Sequence, residues 1–341
     1  MGSVKDLIVL KKPDNNNSGI GRFIFSDRYS VFDWGEMPNH IKDKGKALCV
    51  TGAYFFERLE EIGIKTHYLG VVENEKSKHL SQLNEPSNCM EFKLFRVITP
   101  QKKNDSYDYS IYRKERTNFL IPLEVIYRNS LPEGSSFLKR LKDGTLKLED
   151  IGFERIPLPG EKLKTPLLDV STKLESTDRY ITWKEAEKLT GSTKSEIEEI
   201  KRITLSINEL ITEEVKRIGL FNEDGKVEFG FDEFRDIVLV DVLGTPDECR
   251  FTFEGIPMCK EIARIFYRKT SWYKEVEEAK KKNKVNWKKT VDTLPPSLPY
   301  RLAELISMVY KDIANEITQR IWFRDTPPLK EIIYEIKDFI L

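Results

Sequence analysis

The sequence predicts an α+β protein of two lobes, a smaller N-terminal lobe of mostly antiparallel strands over residues 1–120 and a larger mixed lobe over residues 121–341 that ends in helices. Three observations lead there. At 341 residues the chain exceeds one average domain and can bury a sizeable core. Its first third reads as short apolar runs separated by turn residues. Residues 178–217 and 299–341 instead carry apolar side chains at helical spacing.

Taken in order, residues 6–10 and 22–25 are strand-like, and Pro13, Asp14, three asparagines, Ser18 and Gly19 between them are turn chemistry, which predicts a hairpin with a long loop. Leu48, Ala53, Phe56 and Leu59 repeat with helical spacing, which predicts an amphipathic helix over 46–62. Residues 67–72 and 90–98 read as further strands. The polar stretch 100–116 reads as a hairpin tip or a lid loop, and the apolar, β-rich residues 120–127 open the second lobe. Thr182 with Glu185 three residues on has the form of a capping box, and Ser192 or Thr193 is the cap for a longer helix through Glu214. Pro327 and Pro328 divide the C-terminal helices. The basic run at 280–284 reads as a solvated loop or helix end. No internal repeat or heptad pattern is visible.

Composition narrows the function classes. Lys+Arg and Asp+Glu both number 56, so there is no basic excess of the kind that nucleic-acid binding requires. No apolar run reaches the length of a membrane span, and no charged segment followed by an apolar one opens the chain, so a soluble, cytoplasmic protein is expected, with homo-oligomerisation left open. Cys49, Cys89, Cys249 and Cys259 are scattered without metal-ligand spacing and read as reduced thiols. His40, His67 and His79 lack a partner at metal spacing and read as structural or surface residues.

The richest chemistry lies in Lys226-Val-Glu228-Phe-Gly230, then an apolar strand Ile237-Val-Leu-Val240 running into Asp241, then Thr245-Pro246-Asp247-Glu-Cys-Arg250. A carboxylate just past a strand end sits where pairing stops and a cleft can begin. Glu228 and Asp241 suit a hard cation such as Mg²⁺ that also holds nucleotide phosphates. Lys226 and Arg250 are natural counterparts for phosphoryl oxygens. The plain alternative is a solvated hairpin with alternating side chains.

These residues do not stand alone. The segment resembles the phosphoribosylaminoimidazole-succinocarboxamide synthase (SAICAR synthetase) family, with its K-x-E-F-G, its strand ending in Asp and its (T/S)-P-D-x-x-R. Gly2-Ser-Val-Lys5-Asp6 is similar to the family's G-K-x-R-D, and Asp27-Arg28-Tyr-Ser30-Val-Phe32-Asp33 to its D-R-x-S-A-F-D. Lys44-Gly45 followed by Leu48 is similar to I-x-x-K-G-x-x-L. Pro122-Leu-Glu124 with Arg128, Gly134 and Ser135 resembles V-P-x-E-x-x-x-R-x…G-S, and Ser171-Thr-Lys173-Leu-Glu175-Ser-Thr-Asp178 resembles S-T-K-x-E-x-x-D. The blocks occur in the family's order from about residue 2 to 250; the remainder carries no recognisable block, and 100–116 reads as an insertion relative to the family.

The resemblance implies a two-lobed fold with ATP between the lobes and an ATP-dependent ligase joining L-aspartate to carboxyaminoimidazole ribonucleotide through an acyl phosphate, in purine biosynthesis. It implies small-molecule partners only, with no nucleic acid and no membrane. Carried over position by position, Glu228 and Asp241 are the expected Mg²⁺ ligands at the ATP site, Lys226 lies on ribose or phosphate, and Lys5 belongs to a flap over the phosphates. Ser3 stands where the family has a lysine. Arg128, Ser135 and Arg250 match the substrate 5′-phosphate site. Asp33, Lys44, Lys173, Glu175, Asp178 and Asp247 match the surroundings of the imidazole carboxylate and aspartate. Each has a structural alternative: Asp27, Asp33 and Asp178 as turn or cap residues, Arg128 paired with Glu124 on one strand face, Glu175 as a surface carboxylate beside Lys173. Two other functions compete. One is a phosphotransferase on another small substrate, against which stands the lack of H-R-D and D-F-G motifs. The other is an inactive nucleotide-binding protein, which the Ser3 departure favours and the intact Glu228, Asp241, Arg128 and Arg250 oppose.

Overall fold

The computed structural model describes residues 4–104, 106–132, 134–151, 153–177, 179–283, 286–324 and 326–341. The first strands, β1 (Lys5–Lys11) and β2 (Gly19–Phe25), pair antiparallel as the predicted hairpin. Asp14 shapes the loop between them, its carboxylate accepting the amides of Asn16 and Asn17 at 2.8 Å each. Helix α1 (Lys44–Glu61) packs its apolar stripe on this sheet, which β3 (Tyr68–Glu73), β4 (Lys76–Lys78) and β5 (Cys89–Leu94) complete in the order β1-β2-β5-β3-β4. The Lys44-Gly45 pair has a local cause. A Cβ on Gly45 would lie 2.6 Å from the Phe25 carbonyl oxygen, so only glycine lets α1 start this close to β2. Asp27 secures the same junction, accepting the amides of Asp43 at 3.1 Å and Gly45 at 3.0 Å, which is the cap role open to it from the sequence.

The stretch after β5 forms a small hairpin, β6 (Gln101–Lys103) with β7 (Ser106–Asp108), and a 3₁₀ turn at Ser110–Arg113. The second sheet follows. Its path is β10 (Lys162–Thr172), β9 (Leu123–Ser130), β11 (Phe221–Phe231), β13 (Cys249–Phe253) and β14 (Ile256–Pro257). The short strands β8 (Phe119–Leu120) and β12 (Ile237–Val240) pair with the end of β11. All these pairings are antiparallel. Two short helices, α2 (Ser136–Lys142) and α3 (Leu148–Ile151), lie between β9 and β10.

Helix α4 (Trp183–Thr190) begins at Thr182, whose hydroxyl accepts the Glu185 amide at 3.1 Å. The Glu185 carboxylate goes instead to Arg179 at 2.6 Å, so the reciprocal box forms one helix later, between Thr193 and Glu196 at the start of α5 (Lys194–Arg217). Ile197, Ile200, Ile203, Ile207, Ile211 and Val215 form the buried stripe of α5, which covers one face of β9, β11 and β12. After β14 come α6 (Glu261–Arg268) and α7 (Ser271–Lys282), which the sequence reading did not anticipate. Helices α8 (Tyr300–Thr318) and α9 (Leu329–Ile340) are divided at the expected prolines, and α8 packs on α1.

The two sheets are stitched together at β12. The His67 amide donates to the Leu239 carbonyl at 2.9 Å and the Leu239 amide to the Lys65 carbonyl at 3.0 Å, a parallel bridge between the lead into β3 and β12. Among the described residues no helix is long and apolar enough to cross a membrane.

Candidate active site

The face of the second sheet opposite α5 is polar, and strand alternation makes it so. On β11 Asp224, Lys226 and Glu228 point one way while Gly225, Val227 and Phe229 point the other. In register, Asp224 lies opposite Arg128 of β9 and Arg250 of β13, and Ser171 of β10 lies opposite Glu124 of β9. Glu124, Arg128, Asp169, Lys173 and Arg250 thus share the face with the β11 set. From Glu228 to Asp224 is four residues of strand, roughly 13 Å.

At the Glu228 end the groups are carboxylates and lysines. Lys173 Nζ donates to Glu228 Oε1 at 2.6 Å and stands 3.4 Å from Glu124. Lys226 Nζ donates to Glu124 at 2.9 Å and lies 3.7 Å from both Glu228 and Glu248. Asp241 follows directly on β12 in a left-handed conformation, φ 63°, and pairs with Lys5 on the edge strand β1. Its carbonyl oxygen contacts His67 Nε2 at 3.0 Å, so the stitched seam also fixes the backbone of Asp241. Burial, together with the Asp241 charge, raises the Glu228 carboxyl above the usual range. Burial works the same way on Asp241, but Lys5, Lys226 and Lys173 together hold that carboxyl low. Burial opposes the Lys226 charge, yet Glu248, Glu228 and Glu124 raise its pKa overall. Three ammonium groups here face four carboxyl groups, of which Glu228 holds its proton more readily than the others. Glu228 and Asp241 offer oxygen donors of the type Mg²⁺ prefers. Among the described residues no group of three or more His, Cys, Asp or Glu side chains could hold a metal ion, so such a cation would need phosphate oxygens and water to complete its shell.

At the Asp224 end the balance reverses. Arg128, 2% exposed, reaches Asp224 at 3.3 Å, Asp169 at 3.2 Å and the Ser136 hydroxyl at 3.3 Å. Arg250 Nε donates to Asp224 at 2.8 Å, and Arg140 pairs with Asp169 while stacking 3.8 Å over the Tyr180 ring. Among the described residues three guanidiniums here pair with two carboxylates, and the Nε atoms of Arg128 and Arg140 are buried without a hydrogen-bond acceptor. This end suits an anion with several oxygens. The alternative pairing of Arg128 with Glu124 does not form, because Asp224 and Asp169 reach Arg128 from the flanking strands and the lysines take Glu124. Ser135 caps α2, accepting the Phe137 amide at 3.3 Å, and its neighbour Ser136 is the hydroxyl that meets Arg128. A groove of about 1640 Å³ opens beside Arg250, lined also by Phe32, Lys162 and Arg268.

The other candidates lie apart from these two ends. Lys44, 1% exposed, donates to Asp247 at 2.6 Å, and the other Asp247 oxygen accepts the Tyr310 hydroxyl at 2.6 Å, which ties α1 to α8. Burial opposes ionisation of Asp247, but Lys44 and Lys260 hold its carboxyl below the usual range. Asp33 is 88% exposed, and Lys280 Nζ donates to the Phe32 carbonyl at 2.9 Å and to Asp33 at 3.3 Å. One lysine of the basic run therefore has a specific contact, while Lys281 and Lys282 are solvated as expected. Glu175 is buried against Tyr109 rather than lying on the surface. Asp178 and Ser3 lie outside the described residues. Sequence reasoning missed Arg140, Asp169, Asp224 and Glu248. Asp224 had a signal, two residues before Lys226 on the same strand face, and Glu248 stood inside the Thr245–Arg250 run.

A model of the SAICAR synthetase family matches residues 2–282. A protein of Archaeoglobus fulgidus described as a putative phosphoribosylaminoimidazole-succinocarboxamide synthase is 50% identical over 340 residues, covering 100% of both chains. The synthase of that name from Thermoplasma acidophilum is 33% identical over 307 residues, 88% of this chain and 93% of its own. Among solved structures, SAICAR-synthase from Saccharomyces cerevisiae complexed with SAICAR superposes with a TM-score of 0.62 at 21% identity, covering 94% of each chain. A SAICAR synthetase in complex with ADP gives 0.59 at 23% identity over 94% of this chain and 97% of its own. The fold is thus that of an ATP-using ligase class of mixed α+β architecture. The chain belongs to the SAICAR synthetase family.

Proposed function

We propose that this chain joins L-aspartate to the carboxylate of carboxyaminoimidazole ribonucleotide, with cleavage of ATP to ADP and phosphate, in purine biosynthesis. One observation carries the reading beyond family membership: a single sheet face whose two ends have opposite charge demands, separated by four residues of β11. A substrate with a phosphate at one end and a carboxylate to be activated at the other matches such a face.

A carboxylate is a poor electrophile and its oxygen a poor leaving group. Phosphorylation by ATP gives an acyl phosphate, and the aspartate amine then attacks the carbonyl carbon and expels phosphate. In this chain Arg128, Arg250 and Arg140 hold the 5′-phosphate, with Asp169 and Asp224 fixing the guanidinium planes. Glu228 and Asp241 are the residues that would hold Mg²⁺, which would supply charge to offset repulsion among phosphate oxygens. Lys173 and Lys226, beside Glu228, are cations within reach of the carboxylate undergoing activation. Lys5 belongs to the edge strand that covers the nucleotide; Ser135 and Glu175 remain candidate substrate contacts, and the buried pair Lys44 and Asp247 supports the site through the packing of α1 on α8. These are positioning and electrostatic roles, and no covalent nucleophile is needed.

The test is to mix purified protein with ATP and Mg²⁺ and follow ADP. Release that requires both aspartate and the imidazole nucleotide supports the ligase. Release with the nucleotide alone at full rate supports a phosphotransferase, and no release with nucleotide still bound supports an inactive binding protein.

A further inference from the structure

The segment between β5 and β8 belongs to neither large sheet, yet it is tied to the loop that leaves β10. Tyr109 is buried, and its hydroxyl donates to Glu175 Oε1 at 2.6 Å. Two residues earlier, the Tyr107 hydroxyl accepts the Ser176 amide at 2.8 Å. The segment is itself anchored: Tyr112 is buried, its ring centroid 5.8 Å from that of Tyr109, and its hydroxyl bonds the Ile98 carbonyl. The loop it grips is one that needs holding. Leu174 adopts φ 73°, a conformation that a leucine keeps only when its surroundings impose it. One residue before it, Lys173 meets Glu228; one residue after, Glu175 turns to Tyr109.

We propose that Tyr107 and Tyr109 are positioning residues that hold loop 173–177 in a single binding-competent conformation. The inference rests on the reading of this loop as a substrate contact. Tyr109 and Arg179 both engage Oε1 of Glu175, and no donor reaches Oε2 among the described residues. A carboxylate oxygen only accepts, so its ligand must bring N–H or O–H groups. Of the two small substrates these are the aspartate ammonium or the amino and hydroxyl groups of the nucleotide. ATP carries such donors too, on its adenine and ribose, so the assignment of Glu175 to aspartate or the imidazole nucleotide rests on the reading of this loop, and the KM pattern below tests it. The two tyrosines thereby set the affinity for a substrate that neither of them touches.

The experiment compares wild type with Tyr107→Phe, Tyr109→Phe and the double variant, each of which loses only hydroxyls. Two readouts are taken: amide hydrogen exchange of residues 173–177 in the ligand-free protein, and the Michaelis constants for all three substrates. Faster loop exchange in both single variants is expected, with a rise of fivefold or more in KM for aspartate or for the imidazole nucleotide, KM for ATP within twofold, and kcat within twofold at saturation. Unchanged loop exchange overturns the proposal, as does an equal rise in all three KM values, which would mean general loss of structure. If wild type shows no aspartate-dependent ADP release, the ligase reading fails, and the exchange data still decide whether the tyrosines hold the loop.

Discussion

Arg128 of β9 and Asp224 of β11 face each other in strand register, and Arg250 grips the same Asp224 carboxylate from the other side, so one acidic group orients two guanidiniums. Lysine has no planar fork and cannot reproduce this geometry. Arg128→Lys is therefore expected to raise KM for the imidazole nucleotide about tenfold or more, converted at about 1.4 kcal/mol per decade, while KM for ATP and aspartate moves less than twofold. Steady-state kinetics with each substrate varied in turn checks this. An equal effect on all three would mark Arg128 as purely structural.

Glu228→Gln and Asp241→Asn each remove one anionic oxygen donor from the lysine-rich end. Both are expected to lower kcat at least a hundredfold, of the order of 3 kcal/mol, without loss of the folded state by circular dichroism. Near-normal turnover in either variant at limiting Mg²⁺ would exclude that residue as a metal ligand.

The reaction route has its own test. Phosphorylation marks one oxygen of the substrate carboxylate, and amine attack expels it with the phosphoryl group. Carboxylate labelled with ¹⁸O is expected to yield labelled inorganic phosphate in step with product. Unlabelled phosphate alongside amide formation would rule out the acyl phosphate.

Asp312 gives a pH-dependent stability. Its carboxyl is buried in α8, accepts the Leu329 amide at 3.1 Å and has Glu316 one turn away. Burial, then Glu316, pushes its pKa from the ordinary 3.8 up to about 7. Between those values the folded protein keeps a proton that the unfolded chain has released, so rising pH lowers stability until about pH 7 and has no further effect through this group above it. Asp312→Asn keeps an acceptor for Leu329 and has no charge to bury. It is expected to raise Tm by roughly 2 °C or more at pH 8 and to change it little at pH 4.

Gly45→Ala is expected to cost about 1–3 kcal/mol, because the new methyl would press on the Phe25 carbonyl oxygen at the start of α1. Chemical denaturation of the two proteins side by side measures it, and a loss under 0.5 kcal/mol would show that α1 can shift freely.

Local periodicity carried much of the architecture into view. The alternation of Lys226 and Glu228, the strand into Asp241, the spacing in α1 and α5 and the proline break before α9 are all properties of neighbouring residues. The partners of Arg128 were not legible in the same way. Asp169 and Asp224 are 41 and 96 residues distant and meet it only through strand register. Glu124 was the visible candidate because it shares a strand face, but residues four apart on an extended strand are too far separated for the best contact when a flanking strand offers an acid directly opposite. Helices α6 and α7 escaped for a different reason. Each is short, and the stripes Ile262, Ala263, Tyr267 and Trp272, Val276, Ala279 were a signal passed over; the aromatic residues Tyr267, Trp272 and Tyr273 pack against Tyr29, Phe32 and Trp34, contacts more than 200 residues distant in the chain.

The alternation along β11 also limits how this gene can vary in length. Inserting or deleting one residue between Asp224 and Glu228 would turn part of the charged set into the layer under α5 and bring Val227 or Phe229 to the polar side. Substitutions can be accepted one position at a time, but a frame-preserving change of a single codon inside this strand inverts the chemistry of the face. Length changes are therefore expected in the connections, such as the turn at 232–236 and the segment between β9 and β10, rather than between Asp224 and Glu228.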